Sequence, residues 1–439
     1  MHVFRSIFAK RRALLPRICF ATFVFFPTFL LPDLKAEHFF SPLSEITASF
    51  FFAGENNHLM ENRDGTILRK GGNLLIYESG KFQNGAFSLN YQLKQTLNKT
   101  EKKIEIHRFF ANYLFGRFQI EAGKNNAEAG PGENKLLLSK NCLPYFLLKA
   151  KTQKPLNLWG KWNFFILNGW LHEKRNDVSN PQIFVFRISY SPYNFIEIGG
   201  MRSTLHAGNG RPKYKIWEYP YLLLGVEENI TGSKWDNDGY AAYDITIKIP
   251  EEKLPDYLDE LNIYYQDAGT DMAAFWQKED KKYYFPLGFR LQLHAYLAGI
   301  FIKTRKNSCK LEFTATNPLF YTHHWYHTEG YSYKGASIGL PYGRNSQNFT
   351  FTHYLKFRKI YNITYKLGFL RQPAFNAAKE MKRYYAIIKA GKEFKEKTIE
   401  LFLRFDKTEN YDASPQPNQY SVLSGNKRFI TAGISYTFK

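Results

Sequence analysis

Cysteine and long apolar runs are both scarce in this sequence. Three of its 439 residues are cysteine, and beyond Leu31 no apolar run approaches the roughly 20 residues that a membrane-spanning helix needs. A helical membrane protein is therefore excluded, whereas a transmembrane β-barrel, whose apolar residues occupy every second position, is not. Beyond the N-terminal region only Cys142 and Cys309 remain. They can pair in an oxidising compartment, but their spacing does not decide whether they do.

The N-terminus has the three parts of a secretory signal in the expected order. Basic residues up to Arg17 are followed by the uncharged run Ile18 to Leu31, and Leu34-Lys35-Ala36 offers a cleavage site. This arrangement predicts a signal peptide over residues 1–36 and an outer-membrane barrel with extracellular loops over residues 37–439. An uncleaved N-terminal anchor is the alternative.

Basic residues outnumber acidic ones, 60 against 39, which gives a formal net charge of +21. Such an excess can serve nucleic-acid binding, since lysine and arginine neutralise phosphates. The export signal argues against that use, and the charges are scattered along the chain. We therefore expect no nucleic-acid partner; lipopolysaccharide phosphates or acidic glycans are partners that the same charges suit.

Aromatic residues are abundant, with 40 Phe and 30 Tyr, and they recur at every second position in many segments. The clearest alternating segments are 87–94, 184–190, 290–297 and 399–406. Strands of about 10 residues with aromatic ends are typical of membrane barrels. The sequence therefore predicts an all-β fold, a transmembrane antiparallel β-barrel of about 18 strands with little or no N-terminal helical domain. Asn84-Gly85 and Ser79-Gly80 are predicted turns.

The last segment alternates through Tyr436 and Phe438 and stops at Lys439. It resembles the C-terminal strand signature of bacterial outer-membrane proteins, although in that signature the aromatic residue is normally the last one. The resemblance implies that Tyr436 and Phe438 belong to an insertion signal read by the barrel assembly machinery, and that the protein resides in the cell outer membrane of a Gram-negative bacterium.

Three blocks of sequence resemble the Wzi family of capsule assembly outer-membrane proteins. They are EAGKNNAEAGPGENKLLLSKNCLP at 121–144, MRSTLHAGNGRP at 201–212 and HHWYHTEGYSYKGASIGLPYG at 323–343. The first contains the family turn Gly130-Pro131-Gly132. Better-known members have a helical region before the barrel, and here the strands begin soon after the signal. The resemblance implies a largely plugged 18-stranded barrel that holds capsular or other surface polysaccharide at the outer membrane without catalysis.

Polysaccharide binding has a physical basis in the residues themselves, because aromatic rings cover the apolar faces of sugars while polar side chains bond the hydroxyls. A role in the aromatic girdle or in packing the lumen is equally open for the same residue types. The candidates for sugar binding are Arg202, His206, Arg211, Trp325, Tyr326, Tyr331, Tyr333 and Lys334.

Metal binding and catalysis are less favoured by the pattern. His323, His324 and His327 could be ligands, but in an extended segment neighbouring residues point to opposite faces, so that only two could converge. We expect no metal and no cofactor. Asp236 to Gly239 resembles the start of a calcium loop but lacks the required glutamate. No nucleophile signature accompanies the candidate serines, which are Ser139, Ser332 and Ser337.

Three functions compete at this point. The first is a lectin-like, non-catalytic barrel that binds or anchors capsular or surface polysaccharide. The second is a carbohydrate-selective porin for passive diffusion, which the same alternation permits. The third is an outer-membrane lipid hydrolase that uses one of the serines. Outer-membrane lipid and lipopolysaccharide are expected partners in each case.

Overall fold

A computed structural model describes residues 38–56, 64–226, 228, 230–273, 290–357, 360–373, 380–410 and 425–439. The predicted signal peptide lies outside these residues. The strands are β1 (His38–Ala53), β2 (Gly71–Asn84), β3 (Phe87–Asn98), β4 (Lys102–Phe115), β5 (Phe118–Asn125), β6 (Tyr145–Thr152), β7 (Leu156–Asn157), β8 (Lys161–Trp170), β9 (Gln182–Tyr193), β10 (Ile196–His206), β11 (Asp238–Lys248), β12 (Glu260–Ala273), β13 (Arg290–Lys303), β14 (Asn307–Thr316), β15 (Ser332–Tyr333), β16 (Ala336–Ser337), β17 (Gln347–Phe357), β18 (Tyr361–Pro373), β19 (Glu380–Glu393), β20 (Lys397–Glu409) and β21 (Lys427–Phe438). The one α-helix among the described residues is α1 (Tyr219–Leu224).

The sheet closes on itself. Each long strand pairs antiparallel with its neighbours along the chain, and β1 pairs with β21 from Ile46 opposite Phe438 to Ala53 opposite Thr431. Closure leaves no open edge, so that the backbone hydrogen-bonding groups of the wall are satisfied within the protein, as a hydrocarbon environment requires. The two-residue β7 is not counted as a wall strand, and β15 and β16 form a separate hairpin. The result is the predicted antiparallel barrel of 18 strands, and the fold prediction is confirmed.

Alternation separates two faces along each strand. On β21, Ile430, Ile434 and Phe438 are exposed on the outside, whereas Phe429 and Thr431 are buried inside. An apolar exterior of this kind matches a wall in contact with lipid. Among the described residues, no helix is both long enough and apolar enough to cross a membrane.

The two ends of the barrel differ in their connections. Short turns join β2 to β3, β4 to β5, β9 to β10 and β19 to β20, and this end is called the turn side. Long connections at the opposite end, the loop side, include 126–144, 171–181, 207–237 and 317–346. Short turns are periplasmic and long loops extracellular in barrels of this class. Exposed aromatic residues lie around the turn side, as is typical of the aromatic girdle of a membrane barrel. They are Phe115, Phe118, Trp159, Tyr193, Phe195, Phe357, Phe394 and Phe438.

Two of the long connections fold into the barrel and are together called the plug. Residues 126–144 leave β5 and return to β6, yet they reach the far wall: Asn134 Nδ2 donates to Glu312 on β14 (2.7 Å) and to Thr350 on β17 (3.2 Å). Lys366 on β18 donates to Glu133 (2.8 Å). This segment therefore crosses the lumen.

Residues 317–346 form the second part of the plug and pack on the first. Tyr331 donates its hydroxyl proton to the Leu137 carbonyl (2.8 Å), and Ser139 donates to the Gly339 carbonyl (2.6 Å). The plug and the inner wall share one apolar core, and each fully buried leucine in it contributes about 2 kcal/mol. The core includes Leu136, Leu137, Leu138, Leu167, Val185, Leu205, Tyr240, Ala268, Leu297, Phe320, Ile338 and Leu340.

One predicted turn is wrong. Asn84-Gly85 does turn the chain between β2 and β3, but Ser79 and Gly80 lie inside β2. Glycine is needed at position 80 for another reason, because a Cβ there would collide with the Tyr91 ring and the Pro42 carbonyl. Close approach of a neighbour, and not a reversal of the chain, explains this glycine.

Candidate functional site

Three connections meet on the loop side: 171–181, 207–237 and 317–346. Arg175 joins the first to the last. Its side chain is fully buried, forms ion pairs with Asp177 (2.8 Å) and Glu173 (3.3 Å), and donates to the carbonyls of Gly330 (2.8 Å) and Ser332 (3.1 Å). A buried guanidinium is stable only when its donors are matched in this way. Arg175 therefore holds the second plug segment in one conformation.

Asp236 links 207–237 to 317–346. Its buried carboxylate accepts from Nε1 of Trp325 (2.7 Å) and from Nε2 of His324 (2.9 Å), and Nε2 of His323 faces it at 3.4 Å. Arg211 donates to the Asp236 backbone carbonyl. Asp236 thus gathers side chains that lie up to 89 positions away in the sequence.

Arg211 and Trp325 form a partly exposed pair beside Asp236. The guanidinium carbon of Arg211 lies 4.2 Å from the centre of the Trp325 ring, which is a cation–π contact. Trp325 remains 36% exposed, so that part of the indole faces solvent on the loop side. The pair offers an apolar ring surface next to a cation whose donors suit carboxylates and hydroxyls.

Asp236, His323 and His324 have the composition of a metal site, since one ligand atom from each lies within 4.8 Å of the others. Two neighbouring histidines converge because the segment is a loop here, and the expectation based on an extended strand does not apply. The Trp325 backbone N–H, however, donates to Nδ1 of His323 (3.2 Å), which assigns the ring proton to Nε2, facing the carboxylate. Burial lowers the pKa of His323 to about 4, and repulsion from His324 adds to this. Hydrogen bonds thus hold Nδ1 of His323 and join Asp236 to His324 and Trp325, and the absence of a metal stays a prediction.

The predicted tyrosines lie beneath this surface and are buried. Tyr326 donates to the Ala207 carbonyl (2.9 Å), and burial raises its pKa. Tyr331 bonds the Leu137 carbonyl, and Tyr333 packs edge-on against Tyr145 with ring centres 6.0 Å apart. Lys334 follows on the exposed surface. The structure thus brings Arg211 and Trp325 together at the surface and places the three tyrosines in the plug.

Arg202 and His206 lie elsewhere. On β10 they are in register with the outward-facing positions Phe186 and Gln182 of β9, so that both side chains point away from the lumen. Both are buried, because part of the connection 207–237 folds over them from outside. Arg202 forms an ion pair with Glu228 there.

The family turn at Gly130-Pro131-Gly132 carries the plug past the inner wall. Gly132 has a φ of +70°, and a Cβ at this position would collide with Glu312 and Tyr264. Lys135 fixes the turn by donating to the carbonyls of Gly130 (2.9 Å) and Gly132 (2.7 Å). The turn is therefore structural. Tyr436 and Phe438 face outward on β21, and their role in insertion stays a prediction.

The candidate nucleophiles and cysteines are largely enclosed. Ser139 and Ser332 are buried, and their hydroxyls donate to backbone carbonyls, Ser332 to that of Glu329 (2.7 Å). Ser337 is also buried in the plug. Cys142 and Cys309 are both free, which answers the question of their pairing.

Three organising residues escaped the sequence reasoning: Arg175, Asp236 as a partner of tryptophan, and Glu312. Each acts on segments distant in the sequence, and no local pattern marks Arg175 or Asp236. A charged residue at an inward position of an alternating strand, as Glu312 is, would have been the available signal.

Known proteins share this architecture. No curated protein matches the chain. Among solved structures, it is similar to Wzi, a carbohydrate-binding β-barrel outer-membrane protein involved in group 1 capsule assembly in Escherichia coli. The TM-score is 0.66 at 14% identity, over 90% of this chain and 84% of that one. Pseudomonas aeruginosa OpdL (TM-score 0.53, 8% identity, 90% and 97% covered) and OpdQ (0.52, 8%, 90% and 96%) share the fold less closely.

The sequence itself matches the capsule assembly protein Wzi family over residues 52–419, which is most of the chain. The match confirms the resemblance seen in the three sequence blocks. Together with the apolar outer face of the closed barrel it places the protein in the outer membrane. The chain belongs to the Wzi family of capsule assembly proteins.

Proposed function

We propose that this barrel holds capsular or another surface polysaccharide at the outer face of the outer membrane, as a non-catalytic, lectin-like anchor. One observation carries the proposal: Arg211 stacks at 4.2 Å on a partly exposed Trp325, above a lumen crossed by the plug. The ring can cover the apolar face of a sugar, while the guanidinium bonds its hydroxyls or a uronic-acid carboxylate. The carbohydrate binding described for Escherichia coli Wzi supports this use.

The eight predicted residues then divide by position. Arg211, Trp325 and Lys334 are at least partly exposed and would contact the polymer. Tyr326, Tyr331 and Tyr333 support them from below, since their rings are buried in the plug. Arg202 and His206 would act indirectly, by fixing the connection that carries Arg211.

The absence of catalysis is part of the proposal. Ser139 and Ser332 are buried and use their hydroxyls to bond carbonyls within the plug, which keeps them from a substrate. No cofactor is proposed. This arrangement does not favour the lipid-hydrolase alternative.

The porin alternative requires a continuous aqueous path. The plug opposes it, because residues 126–144 cross from β5 to β14 and share an apolar core with the wall. A diffusion channel of this class has a polar, water-filled interior instead. The anchor is therefore the better supported function.

Other partners follow from the location. We propose that outer-membrane lipid and lipopolysaccharide surround the wall, and that the barrel assembly machinery inserts the chain through the strand ending at Phe438. Residues 1–36 would be removed during export, which leaves 37–439 as the mature barrel.

Deletion of the gene tests the function in cells. The anchor predicts that polymer is still made and exported but appears in the medium instead of on the cell surface. Restoring the wild-type gene should return it to the surface. Unchanged surface attachment after deletion would contradict the proposal.

A further inference from the structure

Part of the connection 207–237 lies on the outside of the barrel. This outer flap comprises residues 213–226, 228 and 230–235 and contains α1. Tyr219 donates its hydroxyl proton to Asn168 on β8 (3.1 Å) and packs edge-on against Phe184 on β9, with ring centres 5.1 Å apart. Asn168 and Phe184 are in register with each other and with outward-facing Leu148. The flap therefore covers the outer wall and not the lumen.

Polar contacts fasten the outer flap to β10. Nε of Arg202 donates to the Leu222 carbonyl (3.3 Å), and the same guanidinium pairs with Glu228. His206 lies between the rings of Tyr214 (5.4 Å) and Tyr219 (5.9 Å). These contacts are buried, and breaking the ion pair would leave an uncompensated charge. The flap is thus a fixed element of the wall.

The side of the outer flap that faces away from the barrel is apolar. Ile216 is 81% exposed, Trp217 66% and Tyr221 48%, and Leu224 on α1 is also exposed. Leu222 faces the opposite way and is buried against the wall. Below the flap, the outward positions of the same strands continue the apolar surface, for example at Ile166 and Ile198. The exposed residues therefore extend the lipid-facing surface of the barrel toward the loop side.

Cations border this apolar surface. Lys213 and Lys215 are exposed, and Nζ of Lys215 lies 5.2 Å from the centre of the Trp217 ring. The nearby carboxylate of Glu218 is already bonded to Lys234 and to the Lys215 backbone N–H. Tryptophan beside lysine is the combination found where hydrocarbon meets charged headgroups.

We propose that the outer flap binds a phosphorylated lipid of the outer leaflet. Ile216, Trp217 and Leu224 contact its acyl chains, and Lys213 and Lys215 contact a headgroup phosphate. This assignment deepens the lipid partner named under the proposed function and rests on the outer-membrane location, but it does not depend on polysaccharide binding. Its consequence is a barrel held at one depth, with the loop side at a constant height above the membrane.

Trp217 supplies the probe. We place the full-length protein in proteoliposomes of phosphatidylcholine with brominated acyl chains. Part of the tryptophan fluorescence should then be quenched by the lipid, and Trp217→Phe should remove this quenched component. Trp325→Phe is the matched control, because Trp325 lies on the loop side away from the lipid, and it should leave the quenched component unchanged. Adding lipid A or phosphatidylglycerol should reduce the quenching of Trp217 fluorescence by aqueous iodide. The lipid that reduces this quenching more is the one that the outer flap binds.

The lysines test the headgroup contact. Lys213→Ala with Lys215→Ala should reduce the protection by lipid A or phosphatidylglycerol several-fold, while polysaccharide binding stays unchanged. Equal protection in that variant would overturn the phosphate contact. Trp217 that is quenched by iodide and not by brominated lipid, or that is shielded by a second copy of the chain in cross-linked dimers, would overturn the proposal as a whole.

Discussion

Nδ2 of Asn134 lies 2.7 Å from Oε2 of Glu312, and this hydrogen bond ties the plug to the barrel wall opposite its origin. Glu312 also accepts from the backbone N–H groups of Glu133 (2.6 Å) and Asn134 (3.1 Å) and from the Tyr264 hydroxyl (2.6 Å). One buried carboxylate thus fastens the segment that closes the lumen.

Glu312→Gln should loosen the plug. The glutamine amide places N–H donors where the carboxylate oxygens only accept hydrogen bonds. Loss of the charge-assisted hydrogen bonds of the carboxylate should reduce the local stability of the plug by about 3 kcal/mol or more. In planar bilayers we expect the wild-type protein to be silent and the variant to show conductance steps.

Glu251→Gln, on an exposed turn-side connection, is the control and should remain silent. Steady wild-type conductance with discrete steps would contradict the closed lumen and restore the porin hypothesis.

The packing of residues 317–346 should weaken in acid because of His323. Its pKa in the folded loop is about 4, below the ordinary value of 6.5, so that the opened loop binds the proton more readily between these pH values. Stability of the closed loop should therefore be present above pH 6.5 and fall as the pH drops toward 4. The full effect is at most about 3 kcal/mol.

Hydrogen exchange of this segment at several pH values measures the effect. His323→Gln removes the titrating group and should flatten the pH dependence in this window, whereas His327→Gln, at an exposed position, should not. The same slope in the wild type and in His323→Gln would refute the assignment to His323.

Zinc should not stabilise the cluster of Asp236, His323 and His324. The Trp325 indole and Nε2 of His324 already bond Oδ2 of Asp236, and the Trp325 backbone N–H donates to Nδ1 of His323, so that a metal would have to displace the hydrogen bond between His324 and Asp236. Thermal unfolding should give the same Tm with zinc chloride at micromolar concentrations and with a chelator. A rise in Tm with zinc that Asp236→Asn abolishes would show a metal site.

The barrel could be predicted from the sequence, and much of the site could not, for a physical reason. The alternation of apolar and polar residues is a local property of the sequence. The strand ending at Phe438 and the other alternating segments therefore predicted the fold. Arg202 and His206 also lie on one face of an alternating strand, β10. That this face is covered by the outer flap could not be predicted, because the flap depends on α1, a short helix stabilised by tertiary contacts. Likewise, the neighbouring histidines at 323 and 324 converge on Asp236 only because long-range contacts bend their segment.

Polysaccharide binding by the purified barrel tests the central claim most directly. With surface polysaccharide from the same cells, Trp325→Ala should weaken the affinity about tenfold, or roughly 1.4 kcal/mol. Arg211→Ala should have a similar effect, since the two side chains form one surface. Trp159→Ala, which removes an exposed tryptophan on the turn side, should leave the affinity unchanged. Wild-type affinity in both loop-side variants would contradict the account.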